Sequence, residues 1–198
     1  GQPCRFQTCY PVTVWPIKLT SASYHGHPLP APLTSFTRNS VAVLRIDLEC
    51  LGSEIPIANM EFESLRFFLN GSAQYIHDLY ESLFNNVEGI ALAASENGAD
   101  PVLLGAECIQ QVGFDRDQGL LDYSPNSFLG YRLLTEYFVC PEKFLFLDIK
   151  GLTKQARQRV GDQSRMSIFI YLNRHTPDLE RFVDAETFML GCTPMINL

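Results

Sequence analysis

Apolar and charged residues alternate without a break through Leu44-Arg45-Ile46-Asp47-Leu48-Glu49-Cys50. A period of two marks a strand with one dry and one wet face. Residues 12–24 also read as a strand, although Pro16 has no amide for a ladder and belongs at an edge or a bulge. The proline-rich stretch 25–32 between them makes a long-looped antiparallel pair. Residues 65–69 form a further strand, Asn70-Gly71 a turn, and Ser72 a cap for the helix that follows. In that helix Ile76, Leu79, Tyr80 and Leu83 recur at helical spacing, and Asn85-Asn86 offers a left-handed stop. Two apolar runs, 87–93 and 102–112, are joined by the hairpin-like stretch 96–101.

Ser124-Pro125 has the form of an N-cap followed by a first helical proline, and Phe128, Tyr131, Leu134 and Phe138 fall on one stripe, with Leu133 and Tyr137 beside it. The spacing predicts an aromatic helix that ends at Pro141 and acts as an internal buttress from Ser124 to Phe144. Residues 144–149 are apolar on both faces, as a central strand is, and Gly151 closes them. A polar, basic loop over 153–165 follows, then alternation over 166–172, a short helix capped by Asp178, and a final apolar segment, 190–198. About seven strands and about three packed helices, not in strict alternation, predict an α+β fold built on a mainly antiparallel sheet or sandwich. Residues 1–198 read as one domain, with a possible subdivision near 115–125.

Composition narrows the function classes. Against 22 Asp+Glu stand 15 Lys+Arg, a formal net charge of -7. Only one loop is locally basic, which argues against a nucleic-acid partner. No run approaches the roughly 18 apolar residues of a membrane-crossing helix, so no direct membrane insertion is expected. The first residues, Gly1-Gln2-Pro3-Cys4-Arg5, lack both an initiating Met and a signal-like apolar run, and the chain stops in apolar sequence, so an internal fragment is expected. Cysteines at 4, 9, 50, 108, 140 and 192 mostly sit in apolar runs, the setting of reduced, buried thiols.

Candidate chemistry is sparse. His25 and His27 could share one side of an extended chain but have no third ligand in view, and His77 and His175 sit on a helix surface and in a turn. Asp115-Arg-Asp117, with Asp122 nearby, superficially resembles a metal-binding pair without the spacing of a calcium loop. Nucleophile-elbow, phosphate-loop and dinucleotide motifs are absent. No catalytic, metal or cofactor residue is therefore assigned. The basic residues Lys154, Arg157, Arg159 and Arg165 are candidates for an acidic partner, as is the loop 25–37 for another surface. Arg132 and Glu136, four apart on the aromatic helix, are expected to pair, with Glu142 and Lys143 close behind.

Certain strings carry a family resemblance. Gly130-Tyr131-Arg132-Leu133-Leu134-x-Glu136-Tyr137-Phe138 and Pro141-Glu142-Lys143-Phe144 resemble the signature block of TssF, a baseplate subunit of the bacterial type VI secretion system. Agreement extends to residues 5–16, 65–71, 79–83 and, at the end, 191–198 with Cys192-Thr193-Pro194. The chain departs from the family pattern at Gly191, where Asn is frequent. The resemblance implies a structural role without catalysis or cofactor, in wedges formed with TssG, joined by TssK and TssE around a VgrG hub, with other TssF copies in the same platform. It also implies a place in the bacterial cytoplasm, at a baseplate docked on the inner-membrane complex, and makes Phe128, Gly130, Tyr131, Arg132, Leu134, Glu136, Tyr137, Phe138, Pro141, Glu142, Lys143, Phe144, Cys192, Thr193 and Pro194 structural motif residues. A β-sandwich that binds carbohydrate or protein stays open as an alternative, and a hydrolase less so. The first needs an exposed aromatic platform, the second a pocket of converging acids near Asp115, Asp117 or His77.

Overall fold

The computed structural model describes residues 4–52, 56–121, 123–124, 126–160 and 164–197. Expectations resting on residues 1–3, Asp122, Pro125, residues 161–163 or Leu198 lie outside the described residues. In chain order the elements are β1 (Phe6–Thr8), β2 (Ile17–Gly26), β3 (Ala42–Cys50), β4 (Ser64–Leu69), α1 (Ala73–Asn85), β5 (Val87–Ala93), β6 (Val102–Leu104), β7 (Ile109–Gln111), α2 (Leu129–Val139), β8 (Phe146–Lys150), α3 (Lys154–Val160), β9 (Arg165–Leu172), α4 (Leu179–Phe182), β10 (Phe188–Leu190) and β11 (Met195–Asn197). They form a five-stranded sheet in the order β2-β3-β9-β5-β6, a four-stranded sheet β10-β4-β8-β7, and a two-stranded ribbon β1-β11. Every pairing is antiparallel, and the fold is α+β. The strands outnumber the expected seven because β1, β6, β7, β10 and β11 have three residues each. So short a run cannot display a period.

The two larger sheets and α1 share one core. Leu44, Ile46 and Leu48 of β3 meet Ile168 and Ile170 of β9, Phe67 and Leu69 of β4, Leu147 and Ile149 of β8, and Ile76, Leu79 and Leu83 of α1 in a single cluster. Each such side chain taken from water stabilises the fold by about 1.5–3 kcal/mol. A second, smaller cluster lies on the other face of the five-stranded sheet, where Val43, Ala91, Ala93, Phe169 and Tyr171 are buried under Leu29, Ala31 and Phe36. Tyr171 donates its hydroxyl hydrogen to the Pro32 carbonyl at 2.5 Å. Thus β9 is dry on both faces rather than alternating, and much of the 25–37 loop is a cover for the sheet rather than a free surface. Gly89 is required here, since a Cβ would come within 2.3 Å of the Phe36 ring.

Local expectations fail at particular points. The strand expected over 12–24 is β2, which begins only at Ile17, immediately after Pro16, and lies at a sheet edge. Asn86 has φ −123, not a left-handed value, and α1 hands over directly to β5. Ser72 takes the N-cap position without a side-chain cap bond. The run 102–112 is two strands in two sheets, divided by a 3-10 turn at Ala106–Cys108. The aromatic helix starts at Leu129, and Ser124 instead accepts a bond from the Asn126 amide at 3.4 Å. The 153–165 stretch contains α3, which turns Ala156, Arg157 and Val160 inward. Gly191 has φ +70, a left-handed value that Gly and Asn tolerate best.

Candidate docking face

The inward side of α2 is polar. Its buried residues are Arg132 and Glu136, and Lys143, just beyond the helix, is fully buried as well. Glu136 accepts from the Leu120 amide through Oε1 at 2.7 Å and from Lys143 Nζ through Oε2. Arg132 donates to the carbonyls of Arg116 and Asp115, each at 2.8 Å, and its Nε lies 3.9 Å from Glu136. Lys143 also donates to the Gly113 carbonyl at 3.1 Å. The charged residues of the helix thus satisfy the backbone of residues 113–120, which lacks a sheet or helix partner of its own. The expected Arg132–Glu136 pair exists, but Lys143 is the nearer cation. Burial pulls the Lys143 ammonium below its ordinary pKa, and Glu136 opposes that shift. A buried pair of this kind adds little net stability, yet breaking it leaves an uncompensated charge that costs about 3–5 kcal/mol.

The outward side carries no charge at all. Phe128, Tyr131, Leu134, Tyr137, Phe138 and Val139 are each more than half exposed, Tyr131 at 72% and Phe138 at 76%. The expected internal buttress is therefore turned inside out in this unit. The stripe lies on a helical period, but a period does not say which side faces in. Here the Asp115 and Arg116 carbonyls and the Leu120 amide need partners, and the charged side of the helix supplies them through Arg132 and Glu136. Leu121, Tyr123 and Phe114 extend the exposed apolar area. Exposed apolar residues gathered on one side of a helix are the kind of surface that interaction sites use.

The other motif residues lie beneath this face. Pro141 and Glu142 start a 3-10 turn, and Phe144 packs against Phe114 and Tyr137, with ring centroids 5.0 and 6.2 Å away. Tyr10 donates its hydroxyl hydrogen to the Lys143 carbonyl at 3.0 Å, and the Cys9 thiol lies 3.8 Å from the Leu120 carbonyl. The Thr193 hydroxyl bridges the Tyr10 backbone, accepting from its amide at 3.0 Å and donating to its carbonyl at 3.1 Å. Cys9 N donates to Pro194 O at 2.9 Å, and Cys192 packs with Tyr10 in a small cluster. Gly113, at φ +104, admits no Cβ, which would sit 2.8 Å from the Tyr10 hydroxyl. Sequence reasoning missed Tyr10 and Gly113, whose roles depend on contacts more than a hundred residues apart for Tyr10.

The basic candidates separate. Arg157 is 1% exposed and donates to the carbonyls of Ile57, Met60, Phe62 and Leu152, its guanidinium 4.3 Å from the Phe62 ring centre. It is an internal clamp, not an interaction residue. Arg159 pairs with Asp100 and Arg165 with Glu49, both near the surface, and Lys154 is exposed. His175 Nε2 lies 2.9 Å from Glu180, His27 Nε2 lies 3.2 Å from the Ser40 carbonyl, and His77 is exposed. Asp115 and Asp117 lie on an exposed turn. Among the described residues no three His, Cys, Asp or Glu side chains gather as a metal site would require. An open cleft of about 410 Å³ is lined by Trp15, Glu61, Glu63, Arg66 and Asp148 among others, without His77, Asp115 or Asp117. Its Arg66–Asp148 pair is bidentate at 2.7 and 2.8 Å, which locks both side chains to each other.

The family model described as "Type VI secretion system, TssF" matches residues 1–198. The chain belongs to the TssF family. It is 34% identical over 197 residues to the type VI secretion system component TssF1 of Pseudomonas aeruginosa, covering 98% of this chain and 31% of that protein. Its fold is similar, at a TM-score of 0.70 and 20% identity, to a chain of the TssK-TssF-TssG baseplate subcomplex solved by cryo-electron microscopy. That likeness covers 98% of this chain and 34% of the other. The chain thus spans about a third of the length of each of these two proteins.

Proposed function

We propose that residues 1–198 act as one structural piece of a type VI secretion baseplate component and work by docking rather than by turnover. The observation that carries this reading is the uncharged aromatic face of α2, held from behind by Arg132, Glu136 and Lys143. Exposed apolar surface of this kind is the mark of an interface, and its rigid anchoring gives a fixed shape for a neighbour to meet. Membership of the TssF family and the fold shared with a chain of a TssK-TssF-TssG subcomplex support TssG and TssK as partners of the full-length protein. In the finer form of the proposal, TssE, the VgrG hub and further TssF copies complete the assembly. It sits in the bacterial cytoplasm against the inner-membrane complex and uses no cofactor or chemical step.

The carbohydrate-binding alternative is less well served. Neighbouring rings on α2 meet edge to face, Phe128 with Tyr131 at 70° and Tyr137 with Phe138 at 76°, where a sugar platform needs an open ring face flanked by hydrogen-bonding groups. The test is coexpression of the full-length protein with TssG and TssK. One complex through size exclusion is expected, together with loss of tail assembly in a strain lacking the gene. Separate elution of the protein from both subunits, with tails assembling normally in the deletion strain, would refute the reading.

A further inference from the structure

We infer that the cleft beside β4 is a strand-addition site, filled in the assembled baseplate by an extended, basic segment of a different subunit. The inference rests on the baseplate reading and adds to it a second docking element, separate from α2.

The cleft is lined by backbone suited to a sheet that lacks a neighbouring strand. β10 pairs only with Phe67–Leu69, so Ser64–Arg66, the first half of β4, has β8 on one side and no strand on the other among the described residues. The cleft of about 410 Å³ lies there, lined by Ser64 and Arg66 and by Leu190 and Gly191, where β10 stops. Beyond Gly191 the chain goes on to β11 in a different sheet and leaves the rest of β4 unpaired. Val12-Thr13-Val14-Trp15 also line the cleft. These are residue types enriched in strands, yet the run enters none, and none of its amides makes a backbone hydrogen bond among the described residues. Val14 is 80% exposed. Unpaired amides of strand-forming residues are a template for an added strand, which main-chain bonds hold and side-chain pockets select.

Charge selects the occupant. Arg66 is held by Asp148 through two hydrogen bonds and is thereby neutralised. Glu61 and Glu63, both exposed on the cleft, form no ion pair among the described residues, and Glu63 acts only at a distance on the buried Arg157. Trp15, its ring 5.5 Å from that of Phe62, and the exposed Leu51 add apolar surface beside these acids. Carboxylates next to an indole suit a lysine or arginine whose stem lies along the apolar surface while its head reaches the acids. An open cleft rimmed by charge tolerates water, the character of an interface between separately folded proteins. A second copy is disfavoured, since a chain of net charge -7 brings more acids than bases to an acidic cleft.

Photo-crosslinking in the full-length protein, coexpressed with TssG and TssK, tests this. The residue p-benzoylphenylalanine is placed at Val14 or, separately, at Leu51, with Lys154 as an exposed control. Expected from both cleft positions is a crosslink to another subunit, mapped by peptide mass spectrometry to a stretch that contains Lys or Arg. Hydrogen exchange should agree: amides of residues 12–15 should exchange about tenfold or more slowly in the complex than in the free protein, as main-chain pairing requires. Glu61→Lys with Glu63→Lys should cut the crosslink yield several-fold at an unchanged melting temperature, and Glu61→Gln with Glu63→Gln should act in the same direction. In a complex that copurifies, absence of a crosslink, crosslinks confined to the same polypeptide or to a second copy, unchanged exchange at residues 12–15, or full yield after charge reversal each overturn the inference. The baseplate reading survives all of these. It falls on failure of copurification with normal tail assembly in the deletion strain, and the strand-addition site then falls with it.

Discussion

Arg157 and Arg159 sit two positions apart on α3 and take opposite roles. The guanidinium of Arg157 is the hub for four backbone carbonyls of residues 57–62 and 152, and burial lowers its pKa while Glu63 opposes that shift. Arg157→Ala leaves those carbonyls unpaired and is expected to cost about 3 kcal/mol or more, read as a fall in the urea midpoint. Arg157→Lys recovers only part, because an ammonium cannot reproduce the planar fork. Arg159→Ala should leave the midpoint in place. Glu136→Ala exposes a different dependence: Lys143 loses its partner inside the fold, at a cost of about 3–5 kcal/mol. Replacing both, as Glu136→Leu with Lys143→Met, should restore much of that loss, and a double-mutant cycle that came out additive would show that the two residues do not act as a pair. Tyr80 carries the reverse case, a buried hydroxyl with no partner among the described residues, and burial pushes its pKa from 10 up to about 12. Tyr80→Phe should therefore be neutral or stabilising by about 1 kcal/mol. Above pH 10 the unfolded chain releases the phenolic proton that the native state holds to about 12, so stability falls as pH rises through that window. The variant should lose its share of that fall in chemical denaturation carried out along the same pH series. The spacing showed Arg132 and Glu136 as a pair, but not Lys143 as the nearer cation. The other roles were not legible, since two arginines in one polar run look alike and a tyrosine on an apolar stripe gives no sign of a stranded hydroxyl.

Among elements, those with several periods and clear end signals were legible. The alternation of β3, the Asn-Gly turn into α1 and the apolar run of β8 all follow from local chemistry. The facing of α2 does not, because an eleven-residue helix with aromatics on one side and an Arg–Glu pair on the other is amphipathic in either orientation. What decides is the backbone demand of residues 113–120, a tertiary fact. The division of residues 102–112 between two sheets is hidden for a related reason: an apolar run reads the same whether one sheet or two receive it. Orientation has a measurable consequence. In the 198-residue unit Tyr131→Ala and Phe138→Ala remove little buried area and should each shift stability by under about 0.5 kcal/mol. Tyr131→Asp with Phe138→Asp should reduce self-association of the unit, seen as a lower weight-average mass by sedimentation. A large destabilisation of the unit itself by either alanine would mean that the helix packs with its aromatic side inward after all.

At the scale of the whole molecule, stability is distributed by topology. Residues 42–50 pair with 165–172, which pair in turn with 87–93, so the centre of the five-stranded sheet is assembled from three distant stretches of chain. Local pattern can supply such strands but not their order, which is why α+β could be read from the sequence and the order β2-β3-β9-β5-β6 could not. The same order sets the rates at which backbone amides open. Strand β9 has a neighbour on each side and is buried on both faces, so its amides should exchange with solvent only through global unfolding. The ribbon is the other extreme: β1 is exposed throughout, β11 is at best half-buried, and each pairs only with the other. Its amides should exchange fastest of all strands in the 198-residue unit. Hydrogen exchange on the unit, followed peptide by peptide, measures that contrast, and ribbon amides that exchange as slowly as those of β9 would contradict it, because a two-stranded pair with exposed faces can open without the rest of the fold.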